Sequence, residues 1–321
     1  MKKNFWFILL PIILGLAGGA AAAVLFFLLG NILPFGRLNV DSDQNGQVVI
    51  DQPKNVIVEQ DLQIQQIENN LLPVLVNIYY SKKGTTVASQ AFLPSEILGQ
   101  GFVLTADGWI VTTKSVIGNL KGKYTAVGYQ SKQYDLESFV VDEATGIVFA
   151  KMPAQSLTVA KLGQSKELTL GQSLVAVWNR DRLNLAQVEE IGYDFTGASG
   201  INLSTEKLVK KLSLGLPLTK GQNGAIIANF KGEVVGVADS GKAILVDDFK
   251  NIIDSVLSAG KIVRPVLGLT YIDLSQVDGL ISWGDKGAYV AGVLKASPAF
   301  GLIKEGDVIK KVNDEELSVF N

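Results

Sequence analysis

The sequence predicts a mostly-β protein carried behind an amino-terminal transmembrane helix, and three observations predict it. Asn4 to Gly30 holds no charged side chain. The run Val74 to Tyr80, VLVNIYY, is dense in the β-branched and aromatic residues that suit a pleated, half-buried surface. Two longer stretches, Gly99 to Thr112 and Lys220 to Val237, each contain a pair of apolar runs divided by a glycine-bearing turn, the pattern of a β-hairpin.

Composition narrows the function. At 321 residues the chain is long enough for two domains and a large buried core. Its 29 Lys and Arg residues nearly balance 31 Asp and Glu, which argues against electrostatic binding of nucleic acid. The absence of Cys excludes disulfides, thiol catalysis and Cys-ligated metals, and leaves the compartment open. The absence of His removes the usual general base near neutral pH and the commonest zinc ligand. No cofactor and no metal are expected.

The elements follow in chain order. Lys2 and Lys3 precede the apolar stretch, and the next charge is Arg37. As a helix, Phe5 to Leu29 would run about 37 Å, enough to cross a hydrocarbon core of ~30 Å with some tilt. A cleaved signal peptide is the alternative, because Ala20 to Ala23 resembles a small-residue cleavage site. The apolar run continues through Leu29, longer than a signal core, and favours an uncleaved anchor. The two lysines hold its start in the cytoplasm and place the remainder outside.

Arg37 to Lys54 reads as a polar linker, with Val48 to Ile50 as a short strand. Ile64, Ile67 and Leu71 fall at helical spacing, and Pro73 stops that helix before the VLVNIYY strand. Ser81 to Leu98 has no periodicity and reads as a loop. Gly99 to Leu104 and Trp109 to Thr112 form a hairpin around Ala106-Asp107-Gly108. Ala225 to Ala228 and Glu233 to Val237 form another around Lys231-Gly232. Phe249, Ile252, Ile253 and Leu257 predict a helix opened by Asp247-Asp248 and closed by Gly260.

These segments resemble the HtrA family of trypsin-like serine proteases over roughly residues 60 to 321. Gly99, Gly101, Gly108, Thr112, Val116 and Ile117 match the family's first hairpin, and its histidine position is Ser115. Asp142 to Lys151 resembles the family's D-x-x-x-D-[IL]-A-[VL]-L-[KR], with Gly146 at the second aspartate. Leu162 to Ser165, Leu170 to Gln172 and Val175 to Asn179 match positions of the fold. In the loop that reads G-N-S-G-G in the family, Asn223 stands at the serine and Ala225 at the last glycine. Gly241 to Leu245 stands where the family lines its specificity pocket, and is altered at Lys242 and Leu245. Further on, Arg264 to Leu269, Gly287 to Val290, Ser297 to Ala299, Lys304 to Ile309 and Val312-Asn313 resemble the start of a PDZ domain.

The resemblance implies a trypsin-like double antiparallel β-barrel followed by a PDZ domain. The domains are then 1–36, a cytoplasmic start and transmembrane anchor; 37–57, a linker; 58–260, the protease-fold domain; and 261–321, a PDZ domain lacking its last elements. A fragment of a longer protein is the preferred account of that ending, since an open sheet edge is a liability. Val266, Leu267, Gly268 and Leu269 correspond to the loop whose amides hold a peptide's terminal carboxylate.

The family mechanism needs an oxygen nucleophile, an imidazole base and a carboxylate that orients it. Asn223 offers an amide, Ser115 no proton-accepting nitrogen and Gly146 no side chain. The backbone amides of Gly221 and Asn223 are the oxyanion-hole equivalents, although a Cβ at Ala225 disfavours a turn that needs φ > 0. Lys114 beside Ser115 is a candidate Ser-Lys pair, but neighbours on an extended strand diverge, and Lys220 reads as a solvated loop lysine.

The reading is a membrane-anchored, extracytoplasmic, catalytically inactive HtrA-like protein. It binds peptides or unfolded protein segments in protein quality control, alone as a trimer or joined to an active homologue, and binds no nucleic acid. The alternatives are a serine endopeptidase with an unconventional nucleophile or base, and a non-catalytic partner of an active homologue.

Overall fold

The computed structural model describes residues 55–84, 86–179, 182–193, 202–207, 210–277 and 287–317. The anchor expected in 1–36 and the Val48 to Ile50 strand lie outside them. Among the described residues no helix is long and apolar enough to cross a membrane.

Helix α1, Asn55–Leu71, begins earlier than the apolar spacing indicates. It buries Ile67 and Leu71 to 1% exposure, while Ile64, the third residue at helical spacing, is half-buried. Pro73 falls in a 3-10 turn, Leu72–Val74, that delivers the chain into β1, Leu75–Tyr80. Six strands follow: β2 Gly99–Val103, β3 Trp109–Thr113, β4 Tyr124–Val127, β5 Gln133–Asp135, β6 Ser138–Val141 and β7 Ile147–Lys151. They form an antiparallel sheet of order β5-β4-β1-β2-β3-β7-β6. The expected hairpin is β2–β3, with Phe102 opposite Val111. Where a first barrel was expected, the described strands make a seven-stranded sheet that ends at β5 and β6.

The second half does close. After β8 Ser173–Trp178 and β9 Arg182–Tyr193 comes a two-residue strand, β10 Leu203–Ser204, which leaves the barrel. Then β11 Lys210–Leu214, β12 Ile226–Ala228, β13 Val234–Asp239 and β14 Lys242–Leu245 complete a barrel of order β11-β14-β13-β12-β8-β9. The second expected hairpin is β12–β13, with Ile226 opposite Val237.

Alternation along β8 and β12 shows why both read as unbroken apolar runs. Val175, Val177, Ile226 and Ala228 join the core shared with the first sheet, while Leu174, Ala176 and Ile227 join a cluster of barrel residues. A strand buried on both faces carries no polar face to alternate with.

The helix expected from Asp247 to Leu257 is split into α2, Asp247–Lys250, and α3, Ile253–Ala259, with Gly260 ending it as expected. Asp247 ties α2 to the loop before β8, its Oδ2 accepting from Ser165 N at 2.6 Å and Lys166 N at 2.9 Å. Phe249 packs edge-on against Phe149 of β7, ring centroids 6.4 Å apart.

The last described elements are β15 Leu269–Asp273, β16 Ala288–Val293, β17 Val308–Ile309 and a small hairpin, β18 Lys311–Val312 with β19 Glu315–Glu316. The sheet order is β10-β15-β16-β17, so β10 crosses over to become its edge strand. Leu269, Val290 and Ala299 form its small core.

Candidate functional site

Two places in this fold gather the residues that the sequence singles out. The first lies where β3, the β6–β7 turn and the loop before β12 meet. Ser115 sits in the turn after β3, and Lys114 N in that turn donates to Gly146 O at 2.9 Å. Gly146 closes the β6–β7 turn by donating from its own amide to Asp142 O at 2.8 Å. Its φ of +83° is one that a side chain resists, although nothing lies within 4 Å of where a Cβ would be.

The loop before β12 enters through a 3-10 turn, Lys220–Gln222. Gln100 on β2 holds it, with its amide donating to Asn223 O at 2.8 Å and its side chain donating to Gly221 O at 3.2 Å. Asn223 is buried, and its Oδ1 accepts from Ser240 N at 2.9 Å. Ser240 Oγ in turn lies 3.0 Å from Ser115 Oγ. Ser240 and Gly241 form the two-residue turn between β13 and β14, both at positive φ as such a hairpin demands.

The structure therefore brings Ser115, Gly146 and Asn223 together, with Ser240 bridging two of them. No sequence signal marked Ser240, which touches both positions only through folding. Within this group two hydroxyls share a hydrogen bond, and the Asn223 amide oxygen accepts from the backbone.

Three expectations change. Asn223 N donates to Lys220 O at 3.2 Å within its own turn, so Gly221 and Asn223 do not present a pair of open amides as an oxyanion hole would. Ala225 imposes no strain, because Gly224, at φ +79°, supplies the positive φ instead. Lys114 and Ser115 lie in a turn rather than on a strand, yet they still diverge, since Lys114 Nζ reaches Glu143 Oε2 at 2.8 Å. Lys220 is exposed, as expected of a solvated lysine.

Asp142, retained from the family motif, is 2% exposed and serves a different end. Its carboxylate receives Arg264 Nε at 3.2 Å and Arg264 Nη2 at 2.5 Å, with Thr145 Oγ1 at 2.6 Å. Arg264 Nη2 also donates to Asp248 O at 2.7 Å. The Asp248 side chain is half-buried, and its Oδ2 finds no hydrogen-bond partner. Burial pushes its carboxyl up to about 6, against the pull of Lys210, Lys211 and Arg264.

The second place is the loop Val266 to Leu269. Its amides are engaged from within the chain. Leu267 N and Gly268 N donate to Glu206 Oε1 at 3.2 and 2.7 Å, and Leu269 N donates to Thr205 Oγ1 at 3.0 Å. Glu206 opens a stretch that departs from the family pattern, so sequence comparison passed over it.

Known proteins resemble the chain in both sequence and shape. A model of the trypsin-like peptidase domain matches residues 99–237. A protein of Pseudomonas fluorescens Pf-5 described as "Probable periplasmic serine endoprotease DegP-like" is 28% identical over 244 residues, covering 70% of this chain and 49% of that protein. A protein of the same description from Marinomonas sp. MWYL1 is 26% identical over 242 residues, covering 69% of this chain and 49% of that protein. The chain thus spans about half the length of the curated relatives it matches. Among solved structures, the HtrA-type protease AlgW with a tripeptide superposes with a TM-score of 0.57 at 18% identity, covering 78% of this chain and 83% of that one. AlgW with a decapeptide gives 0.56 at 18% identity, covering 79% and 86%. Identity that low speaks for the fold alone. Matched domain, relatives and fold agree, and the chain is similar to HtrA-like proteins of the trypsin fold.

Proposed function

We propose that this protein is a catalytically inactive HtrA-like protein, anchored in the membrane with its main domains outside the cytoplasm. It binds peptides or unfolded protein segments through the loop Val266 to Leu269, in the service of protein quality control. One observation carries the inactivity. Ser115 and Asn223 meet through Ser240, and Gly146 bonds the backbone of Lys114 beside Ser115, so the positions read as the triad hold a hydroxyl, an amide and a bare backbone in a chain with no His. Losing the triad members together leaves only what binding and an oxyanion hole supply, and one of the two hole amides is bonded within its own turn. The periplasmic description of the relatives supports the extracytoplasmic placement. The PDZ reading is supported by a sheet whose strand β15 follows a loop of clustered amides, the arrangement that receives an added strand and a carboxylate.

The test is covalent labelling. A fluorophosphonate serine probe is expected to leave the purified protein unlabelled, and casein is expected to stay intact. The variant Asn223→Ser is expected to remain unlabelled too, because it restores a nucleophile without a base. Labelling of the natural chain that disappears in Ser115→Ala would overturn the proposal in favour of an unconventional hydrolase.

A further inference from the structure

The amides of Leu267, Gly268 and Leu269 are met by an element that copies a bound peptide. β10 pairs antiparallel with β15, with Leu203 opposite Tyr271 and Ser204 opposite Thr270. Thr205 N continues the ladder by donating to Leu269 O at 3.0 Å. The segment then ends in a carboxylate, Glu206 Oε1, lying 3.2 Å from Leu267 N and 2.7 Å from Gly268 N. An extended strand added to a sheet edge, with an anion held by backbone amides at its end, is how a groove of this kind captures a peptide terminus. Here the anion belongs to a side chain.

The local chemistry favours that carboxylate staying charged. Thr205 Oγ1 donates to Glu206 Oε1 at 2.8 Å, and Ser204 Oγ to Oε2 at 3.2 Å. Burial alone would raise the carboxyl, but hydrogen bonds from Thr205, the Gly268 amide, Ser204 and the Leu267 amide hold it below the usual range. Gly268 sits at φ +81°, where a Cβ would fall 2.0 Å from Ser297 Cβ. A left-handed residue at this point is what lets successive amides converge on one anion.

We propose that Leu203 to Glu206 is an internal ligand of the peptide groove, and that an extended peptide with a free terminal carboxylate binds by displacing it. The inference rests on reading Val266 to Leu269 as a carboxylate loop. A groove that is mostly self-occupied binds its outside ligand more weakly, in proportion to the fraction of time it is open. The outside ligand must bring both an extended backbone and an anion, so a peptide ending in an amide competes poorly.

Two measurements on the whole protein test this, comparing the natural chain with Glu206→Ala. The first is hydrogen exchange at the amides of 267–271. The second is anisotropy with two fluorescein-labelled hexapeptides that end in Val, one as the free acid and one as the amide. In Glu206→Ala the exchange is expected to speed up by about tenfold, and the free-acid probe to bind about tenfold more tightly, the weight of one charge-assisted hydrogen bond. The amide probe is expected to bind weakly to both proteins. Glu206→Gln keeps the side-chain length and is expected to move both readouts the same way by a smaller factor, so a misfolded alanine variant does not end the test. Unchanged exchange overturns the internal ligand, and equal free-acid binding to both proteins would then leave the peptide-binding reading standing. Faster exchange with neither probe bound supports the internal strand and sinks the peptide-binding reading. Acid and amide probes binding alike overturns the role of the carboxylate.

Discussion

Asp247 and Asp248 show how differently two adjacent carboxylates fare. Asp247 accepts hydrogen bonds from Ser165 N, Ser165 Oγ and Lys166 N. Asp248 leaves Oδ2 unpartnered, and burial raises its carboxyl from 3.8 to about 6, with Asp247 adding to the rise. A carboxyl whose folded pKa exceeds its unfolded value binds more protons in the native state between those values. Stability from this group is therefore present at low pH and is lost as pH rises through the window from about 4 to about 6. Asp248→Asn removes the charge that burial penalises. It is expected to stabilise the protein by about 2 kcal/mol at pH 8, and the gain is expected to vanish near pH 4. Urea denaturation at the two pH values reads the difference. A gain of equal size at both, or a loss at pH 8, would remove burial of the charge as its cause.

At the scale of elements, the contact that matters most joins the segment leading into β15 to the β6–β7 turn. Arg264 grips Asp142 through two nitrogens and reaches the carbonyl of Asp248 on α2, so one guanidinium ties three elements. Because Asp142 is buried, removing its partner leaves an uncompensated charge. Arg264→Met is expected to cost about 3 kcal/mol, with Asp142→Asn on top restoring part of the loss. Thermal melts of the single and double variants check it, and a cost within about 0.5 kcal/mol would make the pair an ordinary surface bridge.

Such contacts mark the limit of what could be read from the sequence. The hairpins β2–β3 and β12–β13 were legible because glycine turns and apolar runs are local signals. Motif spacing singled out Ser115 and Asn223 as triad-equivalent positions, and in the fold both touch Ser240. The split of α2 from α3 was not, since Asn251 and Ile252 stay close to helical φ and the apolar period runs across the break. Ser240 beside Asn223, Arg264 on Asp142 and Glu206 on Gly268 join residues 17, 122 and 62 positions apart. No local pattern announces a pairing of that kind.

Across the molecule, the two protease-fold halves share a core rather than meeting at a seam. One buried cluster draws Phe102, Tyr124 and Phe149 from the seven-stranded sheet, Val175, Ile226 and Val237 from the barrel, and Val246, Phe249 and Val256 from the helical segment. Phe149 against Phe249 ties the helices to the sheet directly. A core that draws apolar side chains from every layer cannot lose one half without exposing the other, because the hydrophobic term scales with the area removed from water. The two halves are therefore expected to unfold as one unit. Trp109 on β3 and Trp178 on β8 report on one half each, and the chain has 4 tryptophans in all. Variants that keep only one of these two, with the other tryptophans changed to Phe, are expected to give coincident urea transitions by fluorescence. If the transition at Trp109 separates from that at Trp178, the shared cluster does not couple the halves, and the sheet and the barrel are independent folding units.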